Sequence, residues 1–213
     1  MRRRTRAMAA MVMALLCAAA MTQGAPAMGA PRQTATICVE ESIDRNVSDH
    51  AEMEAASIFR RIGITVNWHP AASLFCRTNS NAMIHMTYSL KTAADVDPGA
   101  LASATPYGAS VEVHYDRIPT NGELARAHVL AHVFVHEVAH ILQGVARHSD
   151  SGMMKARWSD SDFIEMKWHP LNFTELDIAL IHSGLEARMN GALPGISELV
   201  ARSSTINKPN DKS

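Results

Sequence analysis

Three features of the sequence predict an α/β fold with a small mixed, twisted sheet. Apolar and polar residues alternate from Thr34 to Glu41, a helical pattern runs from Ser48 to Arg61, and β-branched residues return at Ile64 to Trp68. A long apolar-rich segment, Glu123 to Val145, has the length and continuity of a largely buried helix. A second, shorter helical pattern follows Thr174 and is placed to close the core.

Taken in order, Thr34 to Glu41 is the first strand. Met53, Ala56, Ile58 and Phe59 are expected on the buried side of the helix after it, which Gly63 ends. Ile64 to Trp68 forms the second strand and Ala82 to Leu90 the third. Strand, helix and strand in close succession imply a crossover and parallel pairing. Ala94 to Gly108, marked by Gly and Pro, is expected as a loop, and Ser110 to Asp116, with its period of two, as a half-exposed strand at the sheet edge. Thr120 and Glu123 have capping-box spacing ahead of the long helix. Thr174 and Asp177 repeat that spacing, with Asp in place of Glu, before a helix whose apolar side is expected to comprise Leu176, Ile178, Ala179, Leu180, Ile181 and Leu185.

With 213 residues, 47% of them hydrophobic and 19% charged, the chain can bury one substantial core. The expected organisation is a signal peptide over residues 1–27, one domain over 28–190 and a flexible tail over 191–213. Four arginines within Met1 to Arg6 precede the apolar run Ala7 to Met21, and small residues follow around Ala25-Pro26-Ala27. That 15-residue run is short of the roughly 20 residues needed to span a bilayer, so it reads as a leader cleaved after Ala27 and not as a stable membrane anchor. The mature chain is thereby expected to be periplasmic or secreted. Without the leader, 16 basic residues face 21 acidic ones, a net charge of −5, which argues against nucleic acid as a partner. Cys17 leaves with the leader. Cys38 and Cys76 remain, and in an oxidising compartment they are expected to pair as a disulfide; as thiolate metal ligands they would lack Cys-x-x-Cys spacing.

The segment His136-Glu137-Val138-Ala139-His140 carries the chemistry. Histidines four apart project from nearly the same face of a helix, where both imidazoles can reach one tetrahedral zinc ion. Glu137 is not expected to ligate; beside the first histidine, its carboxylate is placed to serve as a general base. His128 and His132 extend the four-residue recurrence, so a metal-free histidine face and an offset pair of His132 with His136 are alternatives. Only His136 and His140 have the glutamate in register and a further histidine downstream. His132 is expected to pack one turn below the site or to support its ligands, and His128 to be solvated.

After His140 the chain reaches Gly144, which can end the helix and turn sharply, then Arg147-His148-Ser149, then Gly152-Met153-Met154. This succession of helix, glycine turn, third histidine followed by serine, and methionine turn resembles the metzincin clan of zinc metallopeptidases, its matrixin-like members especially. The resemblance spans Leu130 to Trp158. In the clan the glycine follows the second histidine by three residues and the third histidine follows the glycine by three, whereas here both intervals are four. The run from Arg147 to Trp158 also resembles one shared by a group of bacterial exported proteins. The clan resemblance implies zinc held by His136, His140 and His148, Glu137 as general base, and Met154 or Met153 as an apolar floor. Glu165, Glu175, Asp160 and Asp162 stand as other possible third ligands. Arg157 and Trp158 are either part of the cleft floor or an ordinary surface arginine and core tryptophan.

Together these readings give an exported zinc-dependent endopeptidase, acting on a peptide or protein laid along Ser110 to Arg117 as an additional strand. The alternative is an exported zinc-binding protein without catalysis. A structural zinc site closes its fourth position while a catalytic one leaves it open, and the sequence offers no evident fourth ligand. Nothing in it indicates an oligomeric state.

Overall fold

The elements follow in the order β1 (Gln33–Val39), α1 (Arg45–Arg61), β2 (Ile64–Pro70), α2 (Leu74–Thr78), β3 (Ile84–Ser89), β4 (Ala102–Ala104), β5 (Ser110–His114), α3 (Glu123–Gln143), α4 (Asp160–Glu165) and α5 (Glu175–Met189). This computed structural model describes residues 33–78, 83–105, 108–119 and 122–189; the expected leader and the tail from 191 lie outside them. The sheet is mixed and five-stranded, in the order β2-β1-β3-β5-β4. β1 pairs in parallel with β2 and β3, β3 pairs in parallel with β5, and only β4 runs antiparallel.

The sheet edge is where the structure departs from expectation. Val111 and Val113 are buried while Ser110 and Glu112 are exposed, as the period of two requires. Yet this strand is not at the edge, because β4, from within the expected loop, pairs along its outer side. Alternation reports that one face of a strand is covered; it says nothing about whether a neighbour lies beside it.

Asp44 starts α1, its carboxylate accepting from the backbone N–H groups of Asn46 and Val47. The stripe that faces inward is Val47, Ala51, Ala55, Ile58 and Phe59. Met53, expected on that side, is 71% exposed, for it lies two positions from both Ala51 and Ala55 and so on the opposite face of the helix. In α5 the inward stripe is Asp177, Ile181, Gly184 and Leu185, while Ala179 is exposed and Leu176 is 52% exposed, contrary to expectation. The Thr174 capping box is formed: Asp177 N–H donates to Thr174 Oγ1 at 3.2 Å and Thr174 N–H donates back to Asp177 Oδ2 at 3.0 Å. The expected box at the start of α3 is not, since Gly122 occupies the N-cap position without a side-chain bond and Thr120 lies outside the described residues.

α3 is the central helix of the described residues. From Val129 to Gln143 every residue is buried, which a helix achieves only when it is covered on all sides. Phe134 meets the rings of Trp68 at 5.5 Å and Tyr88 at 6.3 Å on the sheet, while α1 and α5 pack along the remaining flanks. Cys38 in β1 and Cys76 in α2 are bridged, their Cα atoms 6.0 Å apart. Among the described residues, no helix is long and apolar enough to cross a membrane.

Candidate metal centre

His136 and His140 emerge from the last two turns of α3, and Gly144 ends it in the left-handed conformation, φ 67°, with its N–H on the His140 carbonyl. That conformation is open to glycine at little cost, and it turns the chain back toward the helix. The four-residue intervals are accommodated, for His148 arrives with Nε2 3.2 Å from Nε2 of His140. His136 Nε2 is 3.0 Å from the same atom.

These nitrogens are placed as a metal would need them. His136 Nδ1 lies 2.9 Å from the Met153 carbonyl oxygen, an atom that can only accept, so Nδ1 carries the proton and Nε2 presents a lone pair to the cluster. Burial, then the neighbouring His140, push the His136 pKa down to about 3. Burial and His148 push His140 down to about 4, and burial lowers His148 as well. These shifts favour the neutral form of all three rings near pH 7. Nitrogens held about 2 Å from a tetrahedral zinc ion lie roughly 3.3 Å apart, close to the spacing observed. The trio could hold one metal ion, and among the described residues no Asp, Glu or Cys joins it. The four carboxylates considered as third ligands lie elsewhere; Asp162, for one, is engaged by Lys155 and by the N-cap Ser159.

Glu137 is buried against the same cleft, and desolvation alone raises its pKa to about 7. The cleft has a volume of about 650 Å³. The cleft is lined by the stretch Pro98 to Ala104, ending in β4, and by Lys155 to Trp158 with Phe163. Arg157 binds Asp97, the residue before the first of these stretches, at 2.8 Å. Trp158 is half-buried, its ring edge-on to His136 at 5.5 Å, so it shapes the cleft beside that histidine.

The supporting residues are equally specific. His132 is not in the trio; its Nδ1 donates to the His128 carbonyl and its Nε2 accepts from Leu171 N–H at 3.1 Å. His128, expected to be solvated, is instead half-buried and paired with Glu54 at 2.7 Å. Met153 and Met154 are fully buried, and it is the Met153 backbone that reaches His136. The sequence reading missed two features. One is β4, three small residues with no readable period. The other is the second task of Asp177, recognised only as a helix cap. Its carboxylate has no exposed surface and also accepts from Arg147 Nη1 and Ser149 Oγ, each at 2.7 Å. Burial would raise its pKa, but the bonds from Thr174, Ser149 and Arg147 outweigh that and hold it below the ordinary value.

No family model matches this sequence, and no curated protein matches it either. Among solved structures, the chain is similar to archaemetzincin from Methanopyrus kandleri, with 16% identity, 73% of this chain and 98% of that chain covered, and a TM-score of 0.50. Archaemetzincin from Archaeoglobus fulgidus, solved with malonate, gives 17% identity over 69% of this chain and 99% of that chain, with a TM-score of 0.47. At such identity the likeness to the first is one of fold: a mixed α/β architecture with a five-stranded twisted sheet and helices.

Proposed function

We propose that the chain is a zinc-dependent endopeptidase, exported from the cell, with His136, His140 and His148 as metal ligands and Glu137 as general base. The observation that carries this reading is the convergence of three neutral imidazoles on one point in the wall of an open cleft, with no fourth side chain to close the set among the described residues. Three histidines with an open fourth position suit a catalytic zinc better than a structural one. When bound, zinc supplies a Lewis acid that polarises a carbonyl and makes water acidic near neutral pH.

The protein's own groups account for the rest. Glu137, beside the ligands, accepts the proton of the attacking water and returns it to the leaving amine. β4, the outer strand, offers its outward main-chain edge to an extended peptide. Val133, Trp158 and Phe163 give apolar surface for a substrate side chain. Export rests on the arginine-led leader and on the Cys38–Cys76 bridge, and it requires a processed product that begins at Met28.

The test is zinc content and hydrolysis of an unfolded protein substrate by wild type, Glu137→Ala and His148→Ala. Glu137→Ala is expected to keep its metal and lose activity by about 10²-fold or more, and His148→Ala to lose the metal. A wild type that holds stoichiometric zinc yet cleaves nothing would replace the peptidase with a zinc-binding protein.

A further inference from the structure

His136 and His148 are steered in different ways. The His136 ring is fixed by its own bond to the Met153 carbonyl, whereas among the described residues the His148 ring has no hydrogen-bond partner outside the histidine trio. His148 is also exposed and sits on a segment that follows a glycine turn, so nothing in its own side chain holds it in place. Its two neighbours are held instead. Arg147 and Ser149 both end on the buried Asp177 carboxylate, and Ser149 N–H also donates to the Met154 carbonyl at 2.7 Å. Asp177 is itself fixed by the backbone and hydroxyl of Thr174, at 3.0 and 2.7 Å.

We infer that Asp177 is a positioning residue for the third metal ligand: from the first turn of α5 it grips the residues on both sides of His148 and presents that ring to His136 and His140 before any ion arrives. The inference rests on the three-histidine metal reading. It gives α5, which contributes no ligand, a part in setting metal affinity. Residues that orient metal ligands typically alter affinity 10–100-fold when removed.

Zinc affinity, measured on the full chain by competition with a chromophoric chelator, tests this without reference to activity. Ser149→Ala and Arg147→Gln should each weaken zinc binding about 10–100-fold, and Ser149→Thr, which keeps the hydroxyl, should restore it. The cobalt(II) form of Ser149→Ala should show an altered d–d spectrum. Asp44→Ala removes the N-cap of α1, remote from the site, and controls for stability: it should lower the Tm and leave zinc affinity unchanged. Wild-type affinity in both Ser149→Ala and Arg147→Gln, with zinc lost in His148→Ala, would overturn the clamp and spare the metal site. Absence of zinc binding by wild type would overturn both. Because Asp177→Asn leaves a buried site short of an acceptor and can unfold the chain, the neighbour variants carry the test.

Discussion

The Met153 carbonyl lies 2.9 Å from Nδ1 of His136, so a backbone turn 17 residues downstream decides which imidazole nitrogen faces His140 and His148. That turn depends on Gly152, whose φ is +73° and where an added Cβ would come within 2.1 Å of the Asn172 carbonyl oxygen. Met153 N–H donates to the same carbonyl at 2.8 Å, so the clash falls on the bond that holds the turn. Gly152→Ala should therefore destabilise the protein by about 1–3 kcal/mol and weaken zinc binding at least about tenfold. Denaturant unfolding and zinc titration check the two effects. Unchanged zinc affinity would separate the turn from the orientation of His136.

The β4 edge gives a second prediction. His114 N–H bonds to the Leu101 carbonyl, and in an antiparallel ladder the bonded pairs alternate, so Ala102 and Ala104 direct their main-chain groups away from β5. Ala102→Pro removes one outward donor while keeping an extended φ. If peptide binds as a further strand, KM should rise several-fold with zinc content intact. An unaltered KM would place the substrate elsewhere in the cleft.

Much of this arrangement was legible in the sequence because the signals were local. Four-residue spacing fixes His136 and His140 on one helical face, Gly144 marks the turn, and β-branched alternation marks β1, β2 and β5. The illegible parts depend on tertiary neighbours. Ala102-Ser103-Ala104 has no period and becomes a strand only because β5 offers it a partner. Asp177 announces its cap through Thr174, three residues away, but its bond to Arg147 spans 30 residues and has no sequence signature. The exposure of Met53 has a similar origin: the hydrophobic count identified a helix, while the packing of α1 against α3 and the sheet chose the stripe.

Reduction should matter to stability and little to the site. Cys38 and Cys76 are separated by 38 residues, and closing a loop of that length restricts the unfolded chain by about 2–4 kcal/mol. The bridge joins β1 to α2, whereas the trio belongs to α3 and the segment after it. A Cys38→Ala/Cys76→Ala double variant should lose stability in that range and bind zinc as wild type does. Loss of zinc at temperatures where the variant is still folded would show the two ends of the fold to be coupled.

His132 makes the stability of the metal-free protein depend on pH in a defined direction. Its Nδ1 donates to the His128 carbonyl at 2.7 Å and its Nε2 accepts from Leu171 N–H, so a second proton on the ring would confront the Leu171 donor. Burial is the main cause that lowers its pKa, to about 4; the charge of His128 adds to it and the bond to the His128 backbone opposes it. With the folded value below the ordinary 6.5, the unfolded chain takes up the proton first. The stabilisation is thus complete above about pH 6.5 and is lost as pH falls toward 4, an interval worth roughly 3 kcal/mol at most. Unfolding free energies of wild type and His132→Gln, measured with chelator present so that metal release affects neither, should therefore converge by about 2–3 kcal/mol between pH 7.5 and pH 4. Parallel profiles would mean that the buried ring is protonated without disturbing Leu171, and would remove His132 from the groups that make the fold sensitive to acid.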